Sequence, residues 1–532
     1  MMHATTAMRG MVVAPHALAS QSAVHVLREG GNALEAMIAA AATIAVGYPH
    51  MNGIGGDSFW LVYAPRRAPR GINACGRAAL AASREWYAAR GITAAIPHRG
   101  ALAANTVAGT VSGWQAAFRL SRQWGGRLPI ARLLADAIYY AERGFPVTKS
   151  QCDTTATKRG ELESQPGFRE AFLPAGAAPG AGAVLKQPRL AATLKRLARA
   201  GLDDFYRGAL ARTLAADLAS VGSPLGLRDF TRHRARLVTP LALTHSLGTV
   251  YNLPPPTQGV VSLLILGILD ALEVGRTGPH GADYVHLAVE ATKRAFEIRD
   301  RHVTDPAYMT VAAQELLAPA HLHAMAAKID RARAAAWSAG TPPAGTVWMG
   351  VMDNNGRAVS AIQSIYHDFG SGVVLEETGI NWQNRGCSFS LDERALNFLR
   401  PGRQPFHTLN PALAAFRDGR TMIYGAMGGD GQPQTQAAIF TRIAVFGMDP
   451  QTAVAAPRWL LGRTWGQASD TLKLESRFPA GVPATLGAYG HEIEIVASYD
   501  EAMGHAGAIV RQPSGVLEGG ADPRSDGVVA AF

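Results

Sequence analysis

A run of small and helix-breaking residues divides this chain of 532 residues into two unequal parts. Residues 338–345 read SAGTPPAG, and both proline and glycine oppose regular secondary structure. The apolar segment TVWMGVMD follows at once at residues 346–353 and is typical of a strand. Asn354, Asn355 and Gly356 come next and indicate a hairpin turn, because these residue types accept a positive φ. We therefore expect a linker followed by a β-hairpin whose return strand covers residues 358–366.

The predicted hairpin also determines which side chains lie opposite one another. With a loop of three residues at 354–356, Asp353 faces Arg357 and Thr346 lies opposite Ser364. Two hydroxyl groups should therefore meet where the first strand begins.

The segments on the two sides of the linker differ in character. The N-terminal two thirds are predicted to be mostly helical, and the C-terminal third is predicted to be β-rich with some helices. The first helices should be Ala-rich and broken at Gly30, Gly31 and Asn32, where glycine can supply a left-handed cap. Helical periodicity is expected at residues 14–47, 113–143, 189–221, 283–300 and 311–337, and an apolar run covers residues 260–272.

Composition and charge exclude several classes of protein. A hydrophobic fraction of 48% with 17% charged residues is ample for a buried core and excludes disorder as the main state. The net charge of +10 comes from dispersed residues, and the densest basic stretch, RDFTRHRAR at 228–236, has no interleaved aromatic stripe. We predict that this stretch is solvated surface and that the chain has no nucleic-acid partner. The rival from another class is a basic, non-catalytic protein that binds nucleic acid or another anionic polymer.

The remaining compositional signals predict a chain without a membrane span and without a metal centre. The longest apolar stretch, at 36–47, is too short to cross a bilayer. Cys75, Cys152 and Cys387 are too few and too scattered for a disulfide scaffold or a structural zinc site. We expect a cytoplasmic protein that requires neither a metal nor an organic cofactor.

A glycine-rich loop lies between a predicted strand at 422–424 and a predicted helix from residue 432. The backbone N–H groups of Gly428 and Gly429 could converge there on an anion at the start of the helix. An oxyanion hole is one interpretation, since two adjacent amides can stabilise a tetrahedral intermediate. A plain tight turn is the other interpretation.

Thr346 has a special chemical possibility if the bond before it is cut. A free α-amine has a pKa near ~8 and can act as the general base for the hydroxyl of its own residue. Gly345 has no side chain to shield its carbonyl, so the Thr346 hydroxyl could attack it and cleave the chain itself. The other interpretation is an ordinary strand residue.

Several short segments resemble those of gamma-glutamyltranspeptidases, and they occur in the same order along nearly the whole chain. They are GMVVAPH at 10–16, GGNA at 30–33, PHMNGIGGD at 49–57, LPPP at 253–256, FHTLNP at 406–411, GAMGG at 425–429, and DPR with DG within 522–527.

The resemblance implies an N-terminal-nucleophile hydrolase, an α+β protein with a four-layer αββα sandwich. It implies a precursor that cleaves itself into a large subunit, residues 1–345, and a small subunit, residues 346–532, with a dimer of these heterodimers as one possible assembly. Thr346 falls at the position of the family's nucleophile. Ser364 falls where the family has a supporting Thr, and Gly428 and Gly429 match the oxyanion-hole glycines.

Departures from the family's pattern bear on the substrate. Cys75 stands where transpeptidases carry an Arg for the glutamyl α-carboxylate. Tyr366, Arg385 and Ser388 stand where the family has polar groups for the α-amine, and His407 and Thr408 replace paired serines. A cationic Arg385 would repel a bound ammonium, whereas a guanidinium suits a small carboxylate.

The segments QSIYH at 363–367, INWQNRG at 380–386 and GGDGQPQTQ at 428–436 are similar to the oxamate amidohydrolase branch of the superfamily. That branch is linked to purine breakdown. We therefore predict a self-processing amidohydrolase of a small anionic amide, oxamate, with Arg385 on the carboxylate and with Tyr366, His407 and Thr408 shaping the pocket. The alternative for Arg385 is a structural ion pair. The alternatives for the activity are γ-glutamyl hydrolysis or transfer on glutathione-like donors, and a β-lactam-type acylase.

Overall fold

The computed structural model describes residues 3–337, 345–462 and 469–532. Of the predicted linker, residues 338–344 lie outside this description. The predicted hairpin follows, because strands Gly345–Asp353 and Ala358–Tyr366 pair antiparallel. The amide of Asp353 donates to the carbonyl of Arg357 at 3.0 Å, and Gly356 has a φ of +70°. The hairpin, its loop and its strand limits are thus confirmed.

The hairpin occupies the middle of a seven-stranded antiparallel sheet, which we name the hairpin sheet. Both of its strands are buried at every position. Since successive side chains of a strand point to opposite faces, such burial requires cover on both faces of the sheet. In order across the sheet, the strands are Val528–Ala531, Gly10–Ala14, Gly345–Asp353, Ala358–Tyr366, Asp57–Tyr63, Arg70–Ala74 and Arg236–Val238.

A second seven-stranded antiparallel sheet, the facing sheet, packs against one face of the hairpin sheet. Apolar side chains from both sheets fill the space between them, among them Trp348, Ile362 and Ile423. In order, the strands of the facing sheet are Thr5–Ala7, Leu517–Ala521, Ala506–Arg511, Thr421–Ala426, Ala412–Phe416, Gly248–Asn252 and Leu241–His245.

Helices cover the outer face of the hairpin sheet. The most central, Ala33–Gly47, is buried at every position and contacts strand Gly345–Asp353. It begins at a capping box, in which the Asn32 side chain accepts from the Glu35 amide and the Glu35 carboxylate accepts from the Asn32 amide. The helices of this layer are Ala17–Arg28, Ala33–Gly47, Arg84–Ala88, Thr110–Gln123, Ile130–Leu133, Ala135–Arg143, Lys149–Leu162, Phe168–Phe172, Pro188–Ala200, Asp204–Arg207, Ala209–Ser220 and Leu227–Arg232.

A second helical layer covers the outer face of the facing sheet. Its helices are Gly259–Ala271, Ala282–His302, Pro319–Ala326, Gly431–Phe440, Pro450–Ala455 and Gly481–Ala488. Two helical layers thus enclose two sheets, and the predicted αββα sandwich is confirmed. Smaller sheets flank this body and pair Trp459–Leu461, Leu472–Glu475 and Ile493–Val496, and separately Phe145–Pro146 and Val184–Leu185.

Both large sheets contain strands from before and from after Gly345. The hairpin strands lie between Gly10–Ala14 and Asp57–Tyr63, and the part before Gly345 supplies half of the strands in the two large sheets. The prediction that the part before Gly345 is mostly helical is therefore incomplete. Its strands are short and lie between long helices, whose periodicity dominates the sequence pattern. The two parts form one interlocked body.

The helix predicted over residues 311–337 is wrong for most of its length. An α-helix covers only Pro319–Ala326, a single 3-10 turn covers Glu315–Leu317, and the Ala- and Arg-rich residues after the α-helix are irregular. Their backbone bonds to other elements instead: Ala334 N donates to Tyr489 O, and Ala335 N donates to the Glu290 carboxylate. Such tertiary hydrogen bonds outweigh the helix propensity of alanine, which is a weak preference. Within the described ranges, no helix has the length and apolarity that crossing a membrane requires.

Candidate active site

Thr346 lies in the buried middle of the molecule, at the start of the hairpin. Its side chain is fully buried, and its hydroxyl lies 2.6 Å from the carbonyl oxygen of Gly345. The Ser364 hydroxyl lies 2.5 Å from the same oxygen and 3.3 Å from the Thr346 hydroxyl. The predicted meeting of Thr346 and Ser364 is therefore present, and both hydroxyls converge on the carbonyl that precedes Thr346.

A bulge interrupts the hairpin at this point. The ladder is regular from Met352 opposite Ala358 to Val347 opposite Gln363, and its register then shifts so that Gly345 pairs with Tyr366. A bulge bends a strand and re-aims its side chains. Here it leaves Thr346 outside the regular pairing, and the Ser364 hydroxyl accepts from the amide of Tyr366 at 2.8 Å.

The glycine-rich segment at 52–57 packs directly against the hairpin. A Cβ on Gly56 would lie 2.1 Å from the carbonyl oxygen of Ser364, so only glycine fits there. The Asn52 carboxamide accepts from Gln363 Nε2 at 2.7 Å. The segment therefore holds the return strand, and with it Ser364, in place.

Gly428 and Gly429 lie between strand Thr421–Ala426 and helix Gly431–Phe440, as predicted. Their φ angles are +122° and +53°, in the region that favours glycine. Among the described residues, the amides of both glycines have no acceptor. The carbonyl oxygens are occupied, since Gly428 O accepts from Gly431 N and Gly429 O accepts from Gln258 Nε2. The two N–H groups are therefore available to an incoming oxygen, as an oxyanion hole requires.

Arg385 is completely buried, with a guanidinium that is largely unpaired. In the described part of the chain, Nε and Nη1 have no hydrogen-bond partner, and Nη2 reaches only Thr408 Oγ1 at 3.5 Å. The guanidinium lies over the ring of Tyr366, 3.6 Å from its centre. Tyr366 itself adopts a φ of +78°, a costly conformation for a residue with a side chain. A buried cation with free donors and a stacked aromatic neighbour is suited to hold a small carboxylate.

Thr408 connects Arg385 to the glycine loop. Its hydroxyl faces Arg385, while its backbone oxygen accepts from Gln258 Nε2, the same group that donates to Gly429. The structure thus brings Ser364, Tyr366, Arg385, Thr408 and Gly429 into one continuous set of contacts. Ser388 is more peripheral, with its hydroxyl 3.5 Å from the carbonyl of Phe406.

His407 pairs with a residue that sequence reasoning assigned no role, Asp57. Both side chains are completely buried, and His407 Nε2 lies 3.0 Å from Asp57 Oδ2. The other carboxylate oxygen accepts from the amides of Gly76 and Gly109. Burial lowers the pKa of His407, and the Arg385 charge lowers it further. The histidine is therefore neutral, and Asp57 fixes its orientation.

Asp57 has an unusual proton affinity, because burial raises its pKa from 3.8 to about 7. The hydrogen bond from the Gly76 amide and the charge of Arg385 lower this pKa, but by less than burial raises it. Between about pH 4 and 7, the folded protein therefore holds a proton that the unfolded chain has lost. Unfolding releases that proton, so the contribution of Asp57 to stability falls as pH rises through this range.

We expect Asp57→Asn, placed in a Thr346→Ala background that stays one chain, to remove this pH dependence. The stability of the Thr346→Ala protein relative to the double variant should fall by about 4 kcal/mol from pH 4 to pH 7, since one pKa unit is worth 1.36 kcal/mol. Urea unfolding at a series of pH values measures the difference. A difference that stays constant with pH would contradict the assigned proton.

Three groups of described residues bring possible metal-ligand atoms within 4.8 Å of one another. In two of them the atoms already pair, His407 with Asp57 at 3.0 Å and His286 with His491 at 2.8 Å. In the third, the rings of His98 and His367 stack near Cys387. That the protein needs no metal stays a prediction. The groups are Asp57, Cys75 and His407; His286, Glu290 and His491; and His98, His367 and Cys387.

Comparison with known proteins decides the family. The sequence matches the gamma-glutamyltranspeptidase family over residues 19–532. The chain belongs to this family. It is 59% identical over 524 residues to the oxamate amidohydrolase proenzyme of Klebsiella pneumoniae, with 98% of each chain covered. It is 40% identical over 525 residues to the glutathione hydrolase-like YwrD proenzyme of Bacillus subtilis, again covering 98% of each.

Solved structures agree with the family assignment. The crystal structure of a cephalosporin acylase from Bacillus halodurans matches with a TM-score of 0.91 at 34% identity, covering 100% of this chain and 97% of that one. The predicted family and its fold are therefore both confirmed. The chain is a hydrolase of the gamma-glutamyltranspeptidase family.

Proposed function

We propose that the chain cleaves itself between Gly345 and Thr346, and that Thr346 then hydrolyses a small carboxylate-bearing amide, oxamate, to oxalate and ammonia. The observation that carries this proposal is the convergence of the Thr346 and Ser364 hydroxyls on the carbonyl of Gly345, at 2.6 and 2.5 Å. A nucleophile and a hydrogen-bond donor thus face the bond to be cut.

Self-cleavage begins with attack of Thr346 Oγ1 on the carbonyl carbon of Gly345. The Ser364 hydroxyl stabilises the oxyanion, and the proton of the Thr346 hydroxyl passes to the Thr346 nitrogen. Collapse of the intermediate then breaks the C–N bond and leaves an ester with a free Thr346 amine. Water then hydrolyses the ester, which gives a carboxylate at Gly345 and restores the Thr346 hydroxyl. The products are residues 1–345 and 346–532.

Turnover reuses the same hydroxyl. The freed α-amine takes its proton as the oxygen attacks the amide carbon of the substrate. The unpaired amides of Gly428 and Gly429 stabilise the oxyanion, ammonia leaves with the transferred proton, and water hydrolyses the acyl ester. Arg385 holds the carboxylate, beside Tyr366, His407 and Thr408. The name of the Klebsiella pneumoniae relative supports this choice of substrate.

A γ-glutamyl donor is the alternative substrate, since the Bacillus subtilis relative is named as glutathione hydrolase-like. A γ-glutamyl group carries an ammonium beside its carboxylate. The buried guanidinium of Arg385 would repel that ammonium, and Cys75 supplies no cation in place of the family's arginine.

We expect processed enzyme to turn over oxamate with a higher kcat/KM than γ-glutamyl-p-nitroanilide, by about 100-fold or more, because the second substrate places an ammonium near Arg385. Ammonia release and p-nitroaniline absorbance measure the two rates. Acetamide, which lacks the carboxylate, is the control and should be turned over poorly. A higher kcat/KM with the γ-glutamyl substrate would contradict the proposal that oxamate is the substrate. Equal rates with oxamate and acetamide would show that Arg385 does not bind the substrate carboxylate.

A further inference from the structure

We propose that a pocket lined by four arginines binds a small organic or inorganic anion that carries at least two negative charges. The cavity has a volume of about 550 Å³ and lies at the edge of the hairpin sheet. It is formed by the basic stretch at 228–236 and by the chain that follows strand Arg70–Ala74. The four arginines are Arg77, Arg232, Arg234 and Arg236.

The positive charge of this arginine pocket is compensated only in part. In the described ranges, no carboxylate lies within 4 Å of Arg232, Arg234 or Arg236, and Arg77 reaches Asp305 only at 3.7 Å. Of the described residues, Asp229 is the acid that lines the pocket. Its two oxygens are occupied, since they accept from the amides of Leu80 and Gly226 at 2.9 Å. Like charges gathered in a concave site favour the binding of a counter-ion.

Two of the four guanidinium groups are also free to bind. Arg232 and Arg236 are exposed, and neither side chain has a hydrogen-bond partner among the described residues. Nη1 of Arg234 donates to the carbonyl oxygen of Thr231, and Nη1 of Arg77 donates to the carbonyl oxygen of Gly402. Each free guanidinium offers a planar pair of donors that matches a carboxylate or a phosphate. The cavity has the size typical of small-molecule sites.

The environment of His233 is consistent with a positive field in the arginine pocket. This side chain is buried, and Nε2 lies 2.8 Å from Ser112 Oγ. Burial, together with the charges of Arg207, Arg77, Arg234 and Arg236, lowers its pKa to about 3. His233 is therefore neutral at physiological pH, and the arginines alone supply the charge.

Cys75 is shared between the arginine pocket and the surroundings of Arg385. It lines the pocket, and the Asp57 and Arg385 charges act on its thiol from the side of the candidate active site. A test must therefore separate binding at the four arginines from binding at Arg385.

Isothermal titration calorimetry on the Thr346→Ala protein, which has no turnover, provides this test. Citrate and pyrophosphate are the probes, one for carboxylates and one for phosphates, with acetate as the monovalent control. We expect saturable binding of at least one probe with one site per chain. Arg232→Gln/Arg236→Gln should weaken that binding by about tenfold or more, the value of one charge-assisted contact.

The matched control removes two exposed arginines elsewhere, Arg119→Gln/Arg212→Gln, and should leave the affinity unchanged. Arg385→Gln should also leave it unchanged. Absence of saturable binding of both probes would overturn the proposal. An equal loss of affinity in the Arg119→Gln/Arg212→Gln control would also overturn it, because it would indicate an effect of net charge. A loss of affinity confined to Arg385→Gln would overturn it as well, because it would place the anion in the active site.

Discussion

Thr346→Ala is expected to remain one continuous chain of 532 residues, whereas the wild type separates into residues 1–345 and 346–532. The substitution removes the hydroxyl that lies 2.6 Å from the carbonyl oxygen of Gly345, while the Ser364 hydroxyl, 2.5 Å from the same oxygen, stays in its proposed role as a hydrogen-bond donor. Amide hydrolysis should fall by at least about 10⁴-fold, the scale of losing a catalytic nucleophile. Intact mass spectrometry and ammonia release measure the two effects.

Two further variants make this result specific. Thr421→Ala removes the same atoms from a buried threonine of the facing sheet and should leave processing and activity intact. Ser364→Ala should slow self-cleavage without abolishing it, because Thr346 keeps its nucleophile and loses only the donor at 2.5 Å from the oxyanion. Full processing of Thr346→Ala at the same bond would contradict the assignment, and an uncleaved wild type would contradict self-processing altogether.

Arg385→Gln is expected to lower kcat/KM for oxamate by about 100- to 1000-fold while leaving self-cleavage unchanged. The variant loses a buried cation whose Nε and Nη1 have no partner in the described structure, so a bound carboxylate would lose its charge-assisted hydrogen bonds. The self-cleavage reaction involves no carboxylate substrate and should not depend on Arg385. Steady-state kinetics on oxamate and acetamide measure the effect, which should be absent for acetamide.

Arg442→Gln is the matched control for this prediction. Arg442 is also completely buried, and its Nε and Nη1 also lack partners in the described structure. It contacts Trp459 and the carbonyl of Pro457, outside the set of residues around Thr346. Equal losses of activity in the two variants would show that Arg385 matters for folding rather than for the substrate.

Much of the fold and part of the candidate site could be predicted from the sequence. The hairpin was predictable because Asn354, Asn355 and Gly356 determine a turn locally, and its register then brings Thr346 to Ser364. The glycine loop followed from the strand and helix predicted on its two sides, and the family resemblance supplied the layers. The local rules fail at residues 327–337, where tertiary hydrogen bonds override an alanine-rich sequence.

Asp57 shows why the remainder of the site could not be predicted. It follows two glycines in a segment that reads as a turn, and its partner His407 lies 350 residues further along the chain. No periodicity connects such distant positions, and burial determines the charge state of both. The one signal in the sequence was that Asp57 is an acidic residue at the start of an otherwise apolar strand.

The interleaving of strands from both parts of the chain within the hairpin sheet has a consequence for the proposed cleavage. Neither residues 1–345 nor residues 346–532 contain all the strands of either seven-stranded sheet, so each alone would expose unpaired strand edges that favour aggregation. Strand Gly345–Asp353 pairs on one side with strand Ala358–Tyr366, which carries Ser364, and on the other side with strand Gly10–Ala14. The proposed cleavage between Gly345 and Thr346 therefore requires a folded hairpin sheet. Two fragments produced from separate messages would have to find each other as partly folded chains, whereas a single precursor delivers them already assembled.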